Sequence, residues 1–403
     1  MKIALMSFEY PPETGFGGIG TYTWYQARAL VKLGHEVHVL AGATVSTRLR
    51  SDEHDGVRVY RFRSDSFLMR SFQRLGKYQL WWTKNRLENA LSMFQGIKTL
   101  RREHNYDLIE MPECGAEGLL INNFSHARTL VKFHSPARLI MPFYDVKRAD
   151  IRLCSFVEKL GILKAKMYST CSRFLADEAR GKLGIRRLIR VIPNGIDLEL
   201  FDKTERVDVR RKFELPSNRL MIFFSGRMEQ RKGIHLCKEI SASILERYEV
   251  AFVFAGQDLF NYMANILLPY LKGKKLRGSV HYLGKLSLME IRSCLRAADI
   301  FVLPSLWENC PYSCLEAMAA GRAIVSSNQG GMPELIRDGE NGLLARSGDP
   351  GSYVASLARL IEDKALRERL GVAARRTIEE SFTDTHIAQM SIEYYRECLN
   401  SGG

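Results

Sequence analysis

Short apolar runs alternate with stretches of helical periodicity along most of the chain. Runs rich in Val, Ile, Leu and Phe predict buried strands, and the amphipathic stretches between them predict helices. The predicted strands occupy 2–8, 36–42, 57–62, 107–111, 127–135 and 166–172, followed by 188–195, 220–226, 249–256, 280–284, 299–305 and 323–327. Such alternation is typical of an α/β protein with doubly wound parallel sheets.

The domain organisation follows from length and from a break in this pattern. A chain of 403 residues is long for one hydrophobic core. Apolar periodicity is weakest over 178–186, a charged stretch that contains two glycines. We therefore expect one domain over 1–182 and a second over 183–380, with a last helical segment at 383–399.

The most informative stretch is 299–329, which predicts a strand, a loop and a helix start. Glu308 lies on the loop after the strand, Pro311 marks the turn, and Glu316 falls in the first turns of the helix. Open α/β sheets bind ligands outside the carboxyl ends of their strands, and a helix N-terminus attracts phosphate. An isolated pair of acids at this spacing would more often be a solvated loop acid and a favourable helix-start charge. The context favours a sugar-nucleotide site.

Two cations occupy a second loop of this kind. Arg227 and Lys232 lie five residues apart after the predicted strand 220–226. Arginine offers phosphate a planar fork and lysine a compact charge, so together they could neutralise a departing nucleoside diphosphate. Alone, they could equally be a solvated loop. No DxD motif for a metal is apparent in the chain, and we expect no metal or other cofactor to be required.

Six segments carry a resemblance to a known family. They are GFGGIGTY (15–22), RVIPNGID (190–197), SGRMEQRKG (225–233), FVFAGQD (252–258), WENCPYSCLEAMAAGRAIVSS (307–327) and GGMPELI (330–336). Together they resemble retaining family 4 glycosyltransferases, also called glycosyl transferases group 1. The resemblance implies the GT-B fold, in which two Rossmann-like domains face a central cleft and the last helix crosses back onto the N-terminal domain.

The resemblance also implies roles for single residues. Arg227 and Lys232 match the pyrophosphate-binding pair, Glu316 the acceptor of ribose hydroxyls, and Glu308 the contact to the donor sugar. The rest of the donor loop is expected to line the same site. Those loop residues are Asn309, Cys310, Pro311, Tyr312, Ser313 and Cys314.

The N-terminal half contributes further candidates. Gly17 and Gly18 match a loop that closes over the donor phosphates. His134 matches a histidine at the donor sugar, although an isolated histidine is more often structural. With Glu308, Arg227 and Lys232 it completes the catalytic set that the resemblance implies. Glu110 and Glu113 follow a predicted strand and could contact the acceptor, with solvated acids as the alternative.

These implications define a reaction. We expect transfer of a hexosyl group, with retention, from a nucleoside diphosphate sugar to a hydroxyl of a glycan or lipid-linked acceptor in envelope polysaccharide or glycolipid synthesis. UDP is preferred over GDP on family frequency, with a GDP-mannose-dependent mannosyltransferase and a small-molecule acceptor as alternatives. Two other hypotheses remain. The protein could catalyse epimerisation with hydrolysis of the same sugar nucleotide, or it could bind a sugar nucleotide without catalysis. A dehydrogenase is excluded, because Gly18 lies too far from the first strand and the second strand lacks the ribose-binding acid.

Charge and cysteine content address location and partners. The formal net charge is +14, and the segment 61–104 holds ten basic and three acidic residues interleaved with aromatic ones. This suggests peripheral contact with an anionic membrane, while no nucleic-acid motif accompanies the charge. No apolar run approaches the length of a membrane span. The eight cysteines lack metal-site spacing, so we expect reduced thiols and a cytoplasmic protein, with the peripheral contact at the inner face of the cell membrane.

Overall fold

The computed structural model describes residues 1–15, 17–45, 47–73 and 77–400, and the chain forms two compact units. The first unit consists of Met1–Gly195 together with the residues from Asp384 onward. The second unit consists of Ile196–Thr383.

The first unit is built on one eight-stranded sheet. Its strands are β1 (Lys2–Ser7), β2 (Glu36–Gly42), β3 (Thr47–His54), β4 (Val57–Arg63), β5 (Leu108–Pro112), β6 (Thr129–Phe133), β7 (Met167–Thr170) and β8 (Ile189–Val191). Its helices are α1 (Gly18–Lys32), α2 (Phe67–Gln73), α3 (Trp81–Glu103), α4 (Leu119–Phe124), α5 (Ala137–Ile140), α6 (Arg148–Leu163) and α7 (Arg173–Glu178). The strand order is β3-β4-β2-β1-β5-β6-β7-β8, and every pair is parallel except β3 with β4.

The second unit is built on a six-stranded parallel sheet. Its strands are β9 (Met221–Ser225), β10 (Ala251–Ala255), β11 (Ser279–Tyr282), β12 (Ile300–Leu303), β13 (Ala323–Ser327) and β14 (Leu343–Ala345), in the order β11-β10-β9-β12-β13-β14. Its helices are α8 (Leu198–Lys203), α9 (Val209–Lys212), α10 (Ile234–Arg247), α11 (Leu268–Lys272), α12 (Leu288–Ala297), α13 (Tyr312–Ala319), α14 (Met332–Leu335), α15 (Pro350–Glu362) and α16 (Lys364–Ser381). Strands β9, β10 and β12 are fully buried, because helices cover both faces of the sheet.

The last helix, α17 (Asp384–Asn400), belongs to the first unit and packs against α1. Its apolar face, which includes Ile387, Ala388 and Ile392, joins the core beneath the first sheet. The hydroxyl of Tyr394 donates to the carbonyl of Tyr168 at 3.0 Å. The return of the last helix to the N-terminal unit, which the resemblance implied, is therefore confirmed, as are two α/β units with parallel sheets.

Three details differ from the sequence prediction. The segment 188–195 was expected to open the second sheet, and this is wrong: its strand β8 pairs with β7 at the edge of the first sheet. The first unit accordingly extends to Gly195 rather than ending near 182. Strands β3 and β14 were not predicted, because β3 is polar and mostly exposed and β14 is only three residues long.

Each sheet reverses its order of growth at one point. In the first sheet the chain extends from β1 toward β2 and β4, then returns to add β5 on the other side of β1. In the second sheet the same reversal separates β9 from β12. The loops that follow the two adjacent strands at such a reversal leave the sheet in opposite directions. This opens a crevice at the carboxyl ends of the strands. The loops after β1, β5, β9 and β12 carry most of the candidate residues.

The start of helix α3 is held by a side chain of helix α6. The carboxylate of Asp150 accepts hydrogen bonds from the backbone amides of Trp82 and Thr83, each at 2.9 Å, and from the Thr83 hydroxyl at 2.6 Å. Asp150 is 1% exposed. The three buried donors have this single acceptor group to satisfy them, so the contact fixes α6 against α3.

We expect Asp150→Ala to lower the free energy of unfolding by about 2 kcal/mol or more, because it removes a helix cap and leaves buried amides unpaired. Chemical denaturation of the full chain followed by circular dichroism measures this. The control is Asp177→Ala, whose carboxylate is 74% exposed in a surface pair with Arg180 and should cost less than about 1 kcal/mol. Equal losses in the two variants would contradict the capping role.

Candidate functional site

The loops that follow β9 and β12 form the centre of the candidate site. Arg227 comes two residues after β9, and Lys232 ends a short 3-10 helix, Gln230–Lys232, that precedes α10. Glu308 lies on the loop between β12 and α13. The sequence placed these side chains after two strands, and the reversal of strand order makes those strands neighbours.

Lys232 and Glu308 form a buried ion pair. The ammonium Nζ of Lys232 lies 2.5 Å from Glu308 Oε1, and the two side chains are only 13% and 6% exposed. Burial lowers the pKa of Lys232, opposed by the charge of Glu308. Burial also acts to raise the pKa of Glu308, but the charges of Lys232 and Arg231 outweigh it and hold that pKa below its usual value. The lowered pKa of Glu308 keeps its carboxylate ionised at neutral pH, where it lies against the Lys232 side chain.

Arg231 completes this charged cluster and was not among the residues expected from the sequence. Its guanidinium lies 2.9 Å from Glu229 Oε1 and 3.4 Å from Glu308 Oε2, and it donates to the carbonyl of Trp307 at 3.2 Å. Arg231 is 8% exposed. It therefore fixes the loop after β12 onto the loop after β9. The sequence signal for Arg231 was its position beside Lys232. The sequence of a loop with several cations does not reveal which of them is buried.

Arg227 differs from its neighbours because its side chain is 54% exposed. Its guanidinium forms an ion pair with Glu229 Oε1 at 3.3 Å. Glu229 thus lies between a buried arginine and an exposed one. The exposed guanidinium of Arg227 retains hydrogen-bonding capacity toward a ligand at the carboxyl end of β9.

The orientation of Glu308 is set by its own loop. Ser305 donates its hydroxyl to Glu308 Oε1 at 2.9 Å, and the amide of Gly331 donates to the Glu308 carbonyl at 2.9 Å. Gly330 has φ +70°, and a Cβ there would lie 2.0 Å from the Glu308 carbonyl oxygen. Only glycine allows this approach, which explains the glycine pair after β13.

Helix α13 begins at the end of this loop. No side chain caps it at Pro311, so its positive N-terminal end is available to an anion. Of the donor loop residues, Ser313 is half-buried and the others are buried; these are Asn309, Cys310, Pro311, Tyr312 and Cys314.

Glu316 lies on α13 and is 8% exposed. Burial raises its pKa to about 7, with the charge of Arg292 acting in the opposite direction. Among the residues that the structure describes, no side chain donates a hydrogen bond to its carboxylate. A ligand with paired hydroxyl donors would satisfy this buried acid, which is the chemistry expected for a ribose contact.

In the first unit, Gly17 and Gly18 stand at the start of α1, and their neighbour Phe16 lies outside the described residues. A Cβ on Gly17 would come within 2.1 Å of Glu9 Oε2, whereas a Cβ on Gly18 would meet nothing within 4 Å. A side chain at position 17 would therefore displace the carboxylate of Glu9. Gly18 leaves open space at the helix start.

His134 follows β6 and is held by Glu113. The carboxylate of Glu113 accepts hydrogen bonds from the amides of His134, at 2.9 Å, and Ser135, at 2.6 Å. Burial lowers the pKa of His134 well below its usual value, aided by the charge of Lys132, so the imidazole is neutral. Burial raises the pKa of Glu113 to about 8. Glu113 shapes the loop that carries His134.

Glu110 lies on β5, and its carboxylate also forms hydrogen bonds within the protein. Its carboxylate accepts from the hydroxyl of Tyr22 at 2.6 Å and from that of Tyr395 at 2.5 Å. The Tyr22 ring lies 4.9 Å from that of His134, and the Lys132 ammonium stands 4.4 Å above it. These side chains line a small pocket at the carboxyl ends of β1, β5 and β6. Acceptor contact by Glu110 and Glu113 stays a prediction, and both carboxylates have structural partners.

Within residues 1–15, 17–45, 47–73 and 77–400, no group of three or more His, Cys, Asp or Glu side chains is placed to hold a metal ion. The charged cluster of the second unit consists instead of Arg227, Arg231, Lys232, Glu229 and Glu308. Its arrangement suits an anionic ligand that carries hydroxyl groups.

Comparisons with known proteins agree with this arrangement. The family described as Glycosyltransferase Family 4 matches residues 16–200, and Glycosyl transferases group 1 matches residues 205–377. An uncharacterized glycosyltransferase of Methanocaldococcus jannaschii is 27% identical, with both chains fully covered. The alpha-maltose-1-phosphate synthase of Mycolicibacterium smegmatis is 29% identical over 98% of this chain and 99% of its own.

Solved structures show the same fold. Sucrose-phosphate synthase from Thermosynechococcus elongatus superimposes with a TM-score of 0.80 at 21% identity, with both chains fully covered. Anabaena HepE in complex with UDP and glucose gives a TM-score of 0.71 at 19% identity, covering 98% of this chain and all of the other. The two parallel-sheet units are thus those of the GT-B fold.

The two arginines of the cluster should respond differently to substitution. Arg231→Met removes the buried partner of Glu229 and one of the two cations at Glu308, and it should lower the free energy of unfolding by about 3 kcal/mol or more. Arg227→Met removes a half-exposed cation and should cost less than about 1 kcal/mol. Denaturation of the two full-length variants side by side measures this, and a larger loss for Arg227→Met would show that burial has been assigned to the wrong arginine.

Proposed function

The chain belongs to the GT-B glycosyltransferases, with a Glycosyltransferase Family 4 domain followed by a Glycosyl transferases group 1 domain, and we propose that it is a retaining hexosyltransferase. Its donor is a nucleoside diphosphate sugar and its acceptor is a hydroxyl group. The observation that carries this proposal is the charged cluster at the β9–β12 reversal, where exposed Arg227 lies beside the buried Lys232–Glu308 pair.

Each part of the cluster has a place in donor binding. Arg227 and Lys232 hold the diphosphate together with the N-terminus of α13, and Glu316 accepts the ribose hydroxyls. Glu308 remains ionised because two cations stabilise it, so it can accept hydrogen bonds from hydroxyls of the donor sugar. Arg231 acts as a positioning residue that holds Glu308 and the neighbouring loop in place.

The reaction breaks the bond between the anomeric carbon and the phosphate oxygen and forms a bond from that carbon to the acceptor oxygen. In the front-face route proposed for retention, the acceptor proton passes to an oxygen of the leaving diphosphate. Charge grows on that diphosphate as the first bond breaks. Fixed cations and helix-end amides stabilise this charge more in the transition state than in the ground state, which lowers the barrier.

In this proposal the first unit binds the acceptor and contributes a contact to the donor sugar. Neutral His134 can donate a hydrogen bond to the sugar or its reacting region, and the pocket beside Tyr22 and Lys132 receives part of the transferred sugar or the acceptor. Glu113 and Glu110 keep this pocket in shape through the contacts described above. Gly18 leaves room at the start of α1 for a phosphate to approach.

We propose UDP as the nucleotide, in line with UDP and UDP-glucose in the HepE structures, with GDP as the alternative. The acceptor we propose is a glycan or lipid-linked saccharide of the cell envelope. A small phosphorylated sugar is the second candidate, because relatives include maltose-1-phosphate synthases and the sucrose-phosphate synthase.

The proposed membrane contact through 61–104 now rests on fewer residues than the sequence suggested. Arg61 and Arg86 are buried, and residues 74–76 lie outside the described residues. Exposed apolar side chains of the segment include Phe67, Tyr78 and Trp81. None of the described helices is long and apolar enough to span a bilayer. A contact with lipid would therefore be at the surface.

Calorimetric titration with UDP, GDP and ADP tests the proposal directly. We expect one diphosphate to bind, and Arg227→Ala to weaken its binding by about tenfold or more, since a charge-assisted phosphate contact is lost. The control Arg346→Ala removes an arginine that is 78% exposed and should leave affinity unchanged. Binding of none of the three nucleotides would refute the assignment of the donor site.

Glu308→Gln should lower turnover by about 10² or more while leaving UDP affinity nearly unchanged, because the contact is to the sugar and not to the nucleotide. Donor consumption with and without acceptor, combined with UDP titration, measures both effects. Full turnover in this variant would exclude the role of Glu308. Sugar release without acceptor at the rate of transfer would favour hydrolysis or epimerisation over transfer.

Nucleotide affinity should also depend on the ionisation of Glu316. Its pKa of about 7 in the free protein means that it gains a proton below this pH, and ribose hydroxyls favour the ionised acid. UDP affinity should therefore rise by up to about tenfold between pH 6 and pH 8. Glu316→Gln should lose this part of the pH dependence, and whatever dependence it keeps reports the titration of UDP itself. An identical pH profile in both proteins would contradict the ribose contact.

A further inference from the structure

Helix α6 carries an apolar stripe on the side that faces away from its unit. Leu153, Phe156, Leu160 and Leu163 are 43%, 57%, 38% and 45% exposed. At about 100° per residue, these four positions fall within one arc of roughly 80°. An ordinary surface helix places its apolar stripe toward the core, so this helix is unusual.

The opposite side of α6 is fixed in place by polar contacts. Asp150 caps α3, and Glu158 forms a buried pair with Arg86, whose guanidinium lies 2.9 Å from Glu158 Oε1. Glu158 Oε2 also accepts from the amide of Ala137 at 2.8 Å. These contacts prevent the helix from rotating to bury its leucines. The exposed stripe is therefore a permanent feature of the folded unit.

Further apolar side chains continue the stripe at the end of α6. The Asn123 amide donates to the Leu160 carbonyl at 3.0 Å, and the next residue, Phe124, is 76% exposed. Arg187 donates to the carbonyl of Ala165 at 3.0 Å, and its neighbour Leu188 is 64% exposed. At the other end, Trp81 is 56% exposed at the start of α3, next to the residues that Asp150 caps.

The charged residues around the stripe have one sign. In the segment 148–166 both acids, Asp150 and Glu158, are buried. The basic residues of the segment are exposed or half-buried, and they are Arg148, Arg152, Lys159, Lys164 and Lys166. Arg186 and Arg187 add two more exposed cations next to the end of α6. The stripe therefore has a basic rim.

We propose that this face of α6 docks on the surface of an anionic bilayer. Phe156 and the leucines enter the headgroup region, and the basic rim contacts lipid phosphates. A second copy of the chain fits less well, because a two-fold contact through the stripe would bring two basic rims together. The inference gives a defined surface to the membrane contact proposed above. It does not depend on glycosyl transfer.

Co-sedimentation with vesicles tests this docking surface with the full chain. The wild type should bind vesicles of mixed phosphatidylcholine and phosphatidylglycerol, and bind poorly to phosphatidylcholine alone. The triple variant Leu153→Ser, Phe156→Ser and Leu160→Ser should bind at least about tenfold more weakly. Its control changes Leu259, Phe260 and Val372 of the second unit to Ser. These apolar positions are more exposed than those of α6, and the control should bind as the wild type does.

A second variant tests the basic rim, and thermal unfolding followed by circular dichroism shows whether each protein is folded. Arg148→Gln, Arg152→Gln and Lys159→Gln together should reduce binding to anionic vesicles at least tenfold and weaken its dependence on salt. Wild-type binding by both α6 variants would overturn the proposal. So would a wild-type dimer in light scattering that the serine variant converts to a monomer without any change in vesicle binding. Loss of vesicle binding with unchanged unfolding supports docking even if no transfer is ever detected.

Discussion

The reversal of strand order between β9 and β12 is the constraint on which the candidate site depends, since it makes neighbours of two loops that are far apart in sequence. Lys232 reaches across this reversal to Glu308, and Arg231 makes a second connection to the same carboxylate. Burying four charges is tolerated because each is paired. The result is a fixed set of paired charges beside one exposed arginine, Arg227. The diphosphate binding that we propose would therefore require little rearrangement of these groups.

The first unit uses buried acids in a different way. Glu113 accepts from two backbone amides beside His134, whereas Glu110 joins two tyrosine hydroxyls from α1 and α17. Neither carboxylate is paired with a lysine or arginine in these contacts. Hydrogen bonds from neutral donors satisfy these acids, and the pocket beside Tyr22 is lined by apolar side chains together with Glu110, Lys132 and the neutral imidazole of His134. The two units thus offer chemically distinct surfaces, one cationic and one of mixed polarity.

Sequence reasoning recovered the strands that position the site, because buried parallel strands are long apolar runs, as in Met221–Ser225. It also selected Arg227, Lys232, Glu308 and Glu316 as candidates by their positions after strands and by resemblance, and their roles stay predictions. It could not find Arg231, since burial of one cation among several depends on which loop packs over it. It misplaced Ile189–Val191 for a similar reason: a strand of three residues, Ile-Arg-Val, is compatible with either sheet, and only the pairing with β7 decides.

The position of α17 has a consequence for the order in which the protein is made. The second unit is an insertion in the first, because residues 196–383 emerge between the two segments that the first unit needs. A ribosome delivers the whole second unit before it delivers Tyr395, so the second unit can fold early while the first still lacks the donor that joins Glu110. Until that helix arrives, the apolar surface of α1 is uncovered, and the nascent first unit is the part of the chain that most needs protection by chaperones.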